Sequence, residues 1–123
     1  MNFKKTLVAT AIVLALMTSG AAYAEGKLIV AIYKSGTQQY FIDQTAGFTK
    51  AAKELGYDAR IINVELDANQ AISAVSDAIA SGAKGIGLTA PDQAMGPAAA
   101  KAAKDAGIPL IATDDPLKDS TGA

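Results

Sequence analysis

Apolar residues in this chain fall into short unbroken runs that alternate with longer stretches of helical period. Lys27 to Tyr33 (KLIVAIY) is one such run and predicts a first buried strand. Lys34-Ser35-Gly36-Thr37 interrupts it with turn residues. A helix is predicted over Gln39 to Leu55, with Phe41, Phe48, Ala52 and Leu55 on one stripe and Gly56 as its left-handed stop. Tyr57 to Val64 predicts a second strand. Asp67 is then a helix N-cap, and Gln70 three residues on completes a capping-box pattern. The helix that follows carries Ile72, Val75 and Ile79 on one face, supported by Ala71 and Ala78, and ends at Ser81-Gly82. Gly85 to Ala90 (GIGLTA) predicts a third strand, and Pro91-Asp92-Gln93 a turn. An alanine-rich helix runs from about Pro97 to Ala106, with Gly107 behind it. Ile108 opens a fourth strand, read as buried on both faces, which stops abruptly at Asp114-Asp115.

The order is β-α-β-α-β-α-β with connections of a few residues. That pattern predicts an α/β fold, a parallel sheet with helices on both faces and right-handed crossovers. Pro109 in the fourth strand counts mildly against it, since proline cannot donate to a ladder. No repeat or linker divides residues 25–123, which are read as a single lobe.

The first 24 residues have a different character. Lys4 and Lys5 precede an apolar stretch, Leu7 to Met17, and Ala22-Tyr23-Ala24 supplies the small-x-small pattern of a cleavage site. The apolar stretch is shorter than the roughly 20 residues a spanning helix needs, so residues 1–24 are read as a cleaved export signal. The whole chain carries 11 basic and 12 acidic residues, and two of the basic ones lie in that signal. The remainder is mildly acidic, which argues against nucleic acid as a partner. It has no cysteine and no histidine, which excludes disulfides, thiolate metal sites and a histidine base. No cofactor is expected. The polar ending Lys118 to Ala123 reads as the start of a loop rather than the close of a fold.

Open α/β sheets bind ligands beyond the C-terminal ends of their strands, where the strand order reverses. Lys34 follows strand one, Thr89 and Asp92 end strand three, and Asp114 and Asp115 follow strand four. Two carboxylates, an ammonium, a hydroxyl and the Gln38 amide suit a polyol, whose hydroxyls each donate and accept. Tyr40 offers an aromatic wall. Each residue also has a plainer reading. Asp114-Asp115 before Pro116 is an ordinary turn, Lys34 a solvated lysine, Gln38 a helix cap, Tyr40 a core or staple residue, and Thr89 a common strand residue. Catalysis fits poorly, because adjacent acids on an extended chain point to opposite sides. No glycine-rich phosphate loop follows strand one.

The export signal, KLIVAIYKSGTQQYFIDQTAGFTKAAKELGYD and ASGAKGIGLTAPDQAMGPAAAKAAKDAGIPLIATDD together resemble the sugar-binding periplasmic proteins of ABC importers, above all the arabinose-binding members. The resemblance covers about the first third of such a protein. It implies an incomplete N-terminal lobe of a two-lobed fold, without the hinge and second lobe. By this resemblance Lys34, Asp114 and Asp115 match positions that hydrogen-bond the sugar. Gln38, Tyr40 and Thr89 fall where the arabinose binders carry glutamate, tryptophan and cysteine, so an aldopentose or a hexose is expected. The implied partners are a monosaccharide and the membrane permease, and the implied state is a soluble periplasmic monomer. Because half a cleft cannot close, the isolated chain is expected to bind sugar weakly or not at all.

Two other classes compete with this reading: a periplasmic sugar sensor of the same fold, and an exported sugar-active enzyme. The second would need an acid and base pair that is not visible here. One expectation is directly measurable. The intact mass of the protein recovered from the periplasm should correspond to a chain beginning at Glu25, and retention of Met1 would refute cleavage.

Overall fold

The computed structural model describes residues 26–118. The export signal and the residues beyond Lys118 lie outside that range. Four strands alternate with three helices: β1 (Leu28–Tyr33), α1 (Gln39–Glu54), β2 (Asp58–Asn63), α2 (Ala68–Ala80), β3 (Ile86–Leu88), α3 (Gly96–Asp105) and β4 (Leu110–Ala112). A single 3₁₀ turn, Gln93–Met95, leads into α3.

All strand pairings are parallel, and the sheet order is β2-β1-β3-β4. This order follows from where each crossover goes. The β1-to-β2 connection moves one way along the sheet, and the two later connections move the other way. Right-handed crossovers therefore put α1 on one face and both α2 and α3 on the opposite face.

The register shows how the sequence serves both faces. Val30 and Ile32 pair with Ile86 and Leu88, and Ile86 pairs with Leu110. These residues join Leu28 and the alanine-rich sides of α2 and α3 in one core, with Ala71, Ala74, Val75, Ala78 and Ala99 buried against the sheet. Alanine faces let the two helices approach the sheet closely and each other. On the other face Ala31 pairs with Gly87, and the Phe48 ring of α1 rests over Gly87.

Helix ends follow the sequence signals closely. Gly56 N–H bonds the Lys53 carbonyl and Tyr57 N–H bonds Ala52, while Gly107 and Ile108 make the same pair to Lys104 and Ala103. Both glycines sit at positive φ, 76° and 68°, where a side chain would be strained. Asp67 caps α2 through Oδ1 to the amides of Asn69 and Gln70 at 2.8 and 3.0 Å. The reciprocal half of the expected capping box does not form. Asp67 N–H instead bonds the Val64 carbonyl, closing a turn through Glu65 and Leu66, both at positive φ.

Two sequence expectations are corrected. Leu55, placed on the apolar stripe of α1, is 74% exposed, whereas Phe41 and Ala52 are buried and Phe48 is half-buried. It is the C-cap residue, one position past the last helical residue Glu54. The fourth strand is not buried on both faces. Among the described residues this three-residue strand pairs with β3 on one side, and Ile111 is 66% exposed. The crossover through α1 leads to β2 and leaves this end of the same face uncovered. The proline objection disappears because Pro109 precedes β4 and its carbonyl accepts from Ile86 N–H at 2.9 Å.

These burial differences make a paired prediction for urea unfolding. Leu88→Ala, at a fully buried position on β3, should destabilise by about 2–5 kcal/mol. Leu55→Ala should change stability by less than about 0.5 kcal/mol.

Candidate functional site

The strand order reverses between β1 and β3, so a crevice opens beyond their C-terminal ends. Lys34 is the first residue after β1, and its backbone carbonyl is bonded by Leu66 N–H at 2.7 Å. Asp114 and Asp115 lie just past β4, with Thr113 between strand and turn. Lys34 Nζ reaches across β3 to both acids. It donates to Asp115 Oδ2 and lies 3.2 Å from Asp114 Oδ2. The plain-turn reading of these two acids, with their carboxylates on neighbouring backbone amides, is thus not what the structure adopts.

The adjacent carboxylates face the same cation because the backbone between them is bent. Asp114 has φ 70°, and Asp115 N–H bonds the Thr113 carbonyl at 3.0 Å, an i to i+2 turn. In an extended chain the two side chains would diverge. The segment leaving the turn is packed tightly: a Cβ on Gly96, at the start of α3, would collide with the Lys118 carbonyl and lie 3.1 Å from Leu117 Cβ.

Lys34 is 20% exposed, the two acids 32% and 37%, so the cluster is open to solvent on one side. The Phe41 ring, itself buried, lies 5.4 Å from the ammonium and forms its apolar floor. The hydrogen bond to Asp115 is the main reason the Lys34 pKa is raised above 10.5; desolvation opposes it, and Asp114 reinforces it. One ammonium against two carboxylates leaves a net negative cluster rich in acceptors, with a single cationic donor. Such a set can bind neighbouring hydroxyls from both sides, with the carboxylates accepting and the ammonium donating.

The other expected residues are distributed around this pair. Tyr40 lies in the first turn of α1, is 56% exposed, and packs edge-on against Phe41 with ring centroids 5.1 Å apart. Gln38 occupies the N-cap position of α1, yet its side chain makes no capping bond. Thr89 is 1% exposed, and its hydroxyl goes to Gln44 and Thr113 rather than to the open rim. Asp92, also read as a rim acid, caps the 3₁₀ turn by accepting from Ala94 N–H at 2.8 Å. Sequence reasoning missed Thr113 and Gln44. Thr113 could have been found from its register, since it directly follows the residue paired with Leu88. Among the described residues no group of three acids gathers as a metal site would require.

The raised Lys34 pKa has a definite sign. A lysine held protonated in the folded state adds stability at all pH values below its unfolded pKa, and that contribution fades as pH climbs through the higher folded value. The stability advantage of the wild type over Lys34→Met should therefore be steady from neutrality to about pH 10.5 and shrink above it. Urea midpoints of both proteins across that range measure it. A difference that persists through the alkaline range would contradict the pairing.

Residues 29–123 match the family model of the periplasmic binding protein domain. The L-arabinose-binding periplasmic protein of Escherichia coli K12 is 31% identical over 119 residues, covering 97% of this chain and 36% of that protein. The D-apiose import binding protein of Actinobacillus succinogenes is 32% identical over 110 residues, covering 89% of this chain and 36% of its own length. Among solved structures, an ABC transporter periplasmic solute-binding protein from Actinobacillus succinogenes with bound D-allose superposes with a TM-score of 0.72. It is 28% identical and covers 79% of this chain and 34% of that one. A carbohydrate transporter solute-binding protein from Agrobacterium radiobacter, in complex with D-arabinose, gives 0.70 at 27% identity, over 78% of this chain and 33% of that one. This chain thus spans about a third of the length of these relatives. Sheet order, strand-end crevice and family match agree, and the chain belongs to the periplasmic binding proteins, as part of the N-terminal lobe of their two-lobed fold.

Proposed function

We propose that this chain is the N-terminal, sugar-binding lobe of a periplasmic solute-binding protein that delivers a monosaccharide to an ABC permease. The observation that carries the proposal is the Lys34 ammonium held against Asp114 and Asp115 at the switch point of the sheet. Lys34, Asp114 and Asp115 are assigned the ring hydroxyls. Tyr40 is assigned the apolar face of the ring, and Gln38, whose side chain makes no capping bond, a peripheral hydroxyl. The ligand class is an aldopentose or a hexose, in keeping with relatives named for L-arabinose and D-apiose and solved with D-allose and D-arabinose. The role is binding and handover without chemistry on the sugar, and the place of action is the periplasm.

Free, the carboxylates are occupied by Lys34. Sugar binding exchanges part of that ion pairing for hydroxyl contacts and keeps every group partnered. One lobe supplies only part of such a contact set, so affinity depends on a second lobe closing over the ligand.

Two measurements test the reading. In a ¹⁵N titration of this chain with L-arabinose, D-ribose, D-allose and D-glucose, amide shifts should concentrate at Lys34–Tyr40 and Thr113–Asp115, with a Kd of about 1 mM or weaker. In the protein carrying the second lobe, calorimetry should show far tighter binding of one of these sugars. There Asp115→Ala should cost about 2–4 kcal/mol, because Lys34 and a sugar hydroxyl lose their partner inside a closed cleft. Unchanged affinity would return Asp115 to a structural role.

A further inference from the structure

Behind the open cluster lies a partly buried chain of side-chain hydrogen bonds that joins the strand carrying the acids to the helix carrying Tyr40. Thr89 Oγ1, 1% exposed, donates to Gln44 Oε1 at 3.3 Å and sits 2.8 Å from Thr113 Oγ1. A hydroxyl has one proton. With the Thr89 proton directed to Gln44, the Thr113 hydroxyl must be the donor to Thr89. The chain is therefore directional, Thr113 to Thr89 to Gln44, and crosses from β4 past β3 to the second turn of α1.

Thr113 is also the anchor of the bent turn. Its N–H bonds the Leu88 carbonyl at 2.9 Å, and its own carbonyl receives Asp115 N–H at 3.0 Å. Between these two bonds Asp114 is held at φ 70°, a conformation that is unfavourable for a residue with a side chain. Such a turn persists only if its flanks are pinned. The β-branched Thr113 has a stiff χ1, and its hydroxyl bond selects one rotamer. On the far side Gln44 belongs to the same helix as Tyr40 and Phe41.

We propose that Thr113, acting through Thr89 and Gln44, is the positioning residue that aims Asp114 and Asp115 at Lys34 and sets their distance from the aromatic start of α1. None of the three side chains needs to touch the ligand. Their effect is to fix the spacing between acceptor groups and aromatic wall, which decides which arrangement of ring hydroxyls fits. In its consequence for sugar this rests on the binding role proposed above; in its consequence for the Lys34 pair it does not.

The test separates the two. Thr113→Val keeps the shape and the branched β-carbon but removes the hydroxyl, and Thr113→Ser restores it. Lys34 is followed by the pH titration of its ¹³Cε resonance in this chain. With valine the Lys34 pKa should fall back toward 10.5, and with serine it should stay raised. In the two-lobed protein, Thr113→Val should weaken sugar binding by about threefold to tenfold, the worth of one neutral hydrogen bond, with the urea midpoint still well above assay conditions. An unchanged Lys34 titration in Thr113→Val overturns the proposal, as does a serine variant that behaves like valine. A shifted titration in a protein that binds no sugar upholds the positioning role and refutes the sugar-binding one. Should Thr113→Val fail to fold, Gln44→Met breaks the same chain at its half-buried far end and is read against the same two criteria.

Discussion

The handedness of the crossovers governs nearly everything else in this chain. A right-handed β-α-β unit allows only one face for each direction of travel. Because β2 and β3 flank β1 on opposite sides, α1 is separated from α2 and α3 by the sheet. The reversal leaves the C-terminal ends of β1 and β3 without a connecting loop between them, and that gap is where the ammonium and the carboxylates meet. It also explains the uneven faces. Among the described residues the α2–α3 side holds a continuous core, while the α1 side thins out toward β4 and Ile111 is exposed.

Within that frame the site depends on a balance of charge and strain. A lone lysine at a strand end would be solvated, and two adjacent acids would repel each other. Together they form a cluster in which the cation offsets the repulsion and the bent turn brings both acids to one side. Phe41 beneath the ammonium lowers the local dielectric without adding a competing polar group. The hydroxyl chain through Thr89 links this arrangement to α1.

Much of this was legible in the residues. The glycine stops at Gly56, Gly82 and Gly107, all at positive φ, the Asp67 cap and the apolar runs placed every element to within a few positions, because those signals act over three or four residues. The misreadings share one cause. Leu55 and the fourth strand were judged by local pattern, whereas their exposure depends on how far α1 extends across the sheet. The capping box failed on its second half because the preceding turn, with Glu65 and Leu66 in the left-handed region, claims the Asp67 amide. Asp92 looked equivalent to Asp114 and Asp115 on position alone. Only the 3₁₀ turn that follows it shows that its carboxylate is already used.

The sequence by itself determined the alternation of strands and helices, the parallel sheet, the polar character of the strand ends and the candidacy of Lys34, Asp114 and Asp115. Those are consequences of periodicity and of residue chemistry, which need no partner from elsewhere in the chain. Only the tertiary structure decided that Lys34 pairs with acids 80 and 81 positions away, that Thr89 turns inward to Gln44 and Thr113, and that β4 pairs with β3. The physical reason is that ion pairs and hydroxyl bonds depend on distances of a few ångströms between separate strands. Strand order and register set those distances, and no short stretch of sequence encodes either.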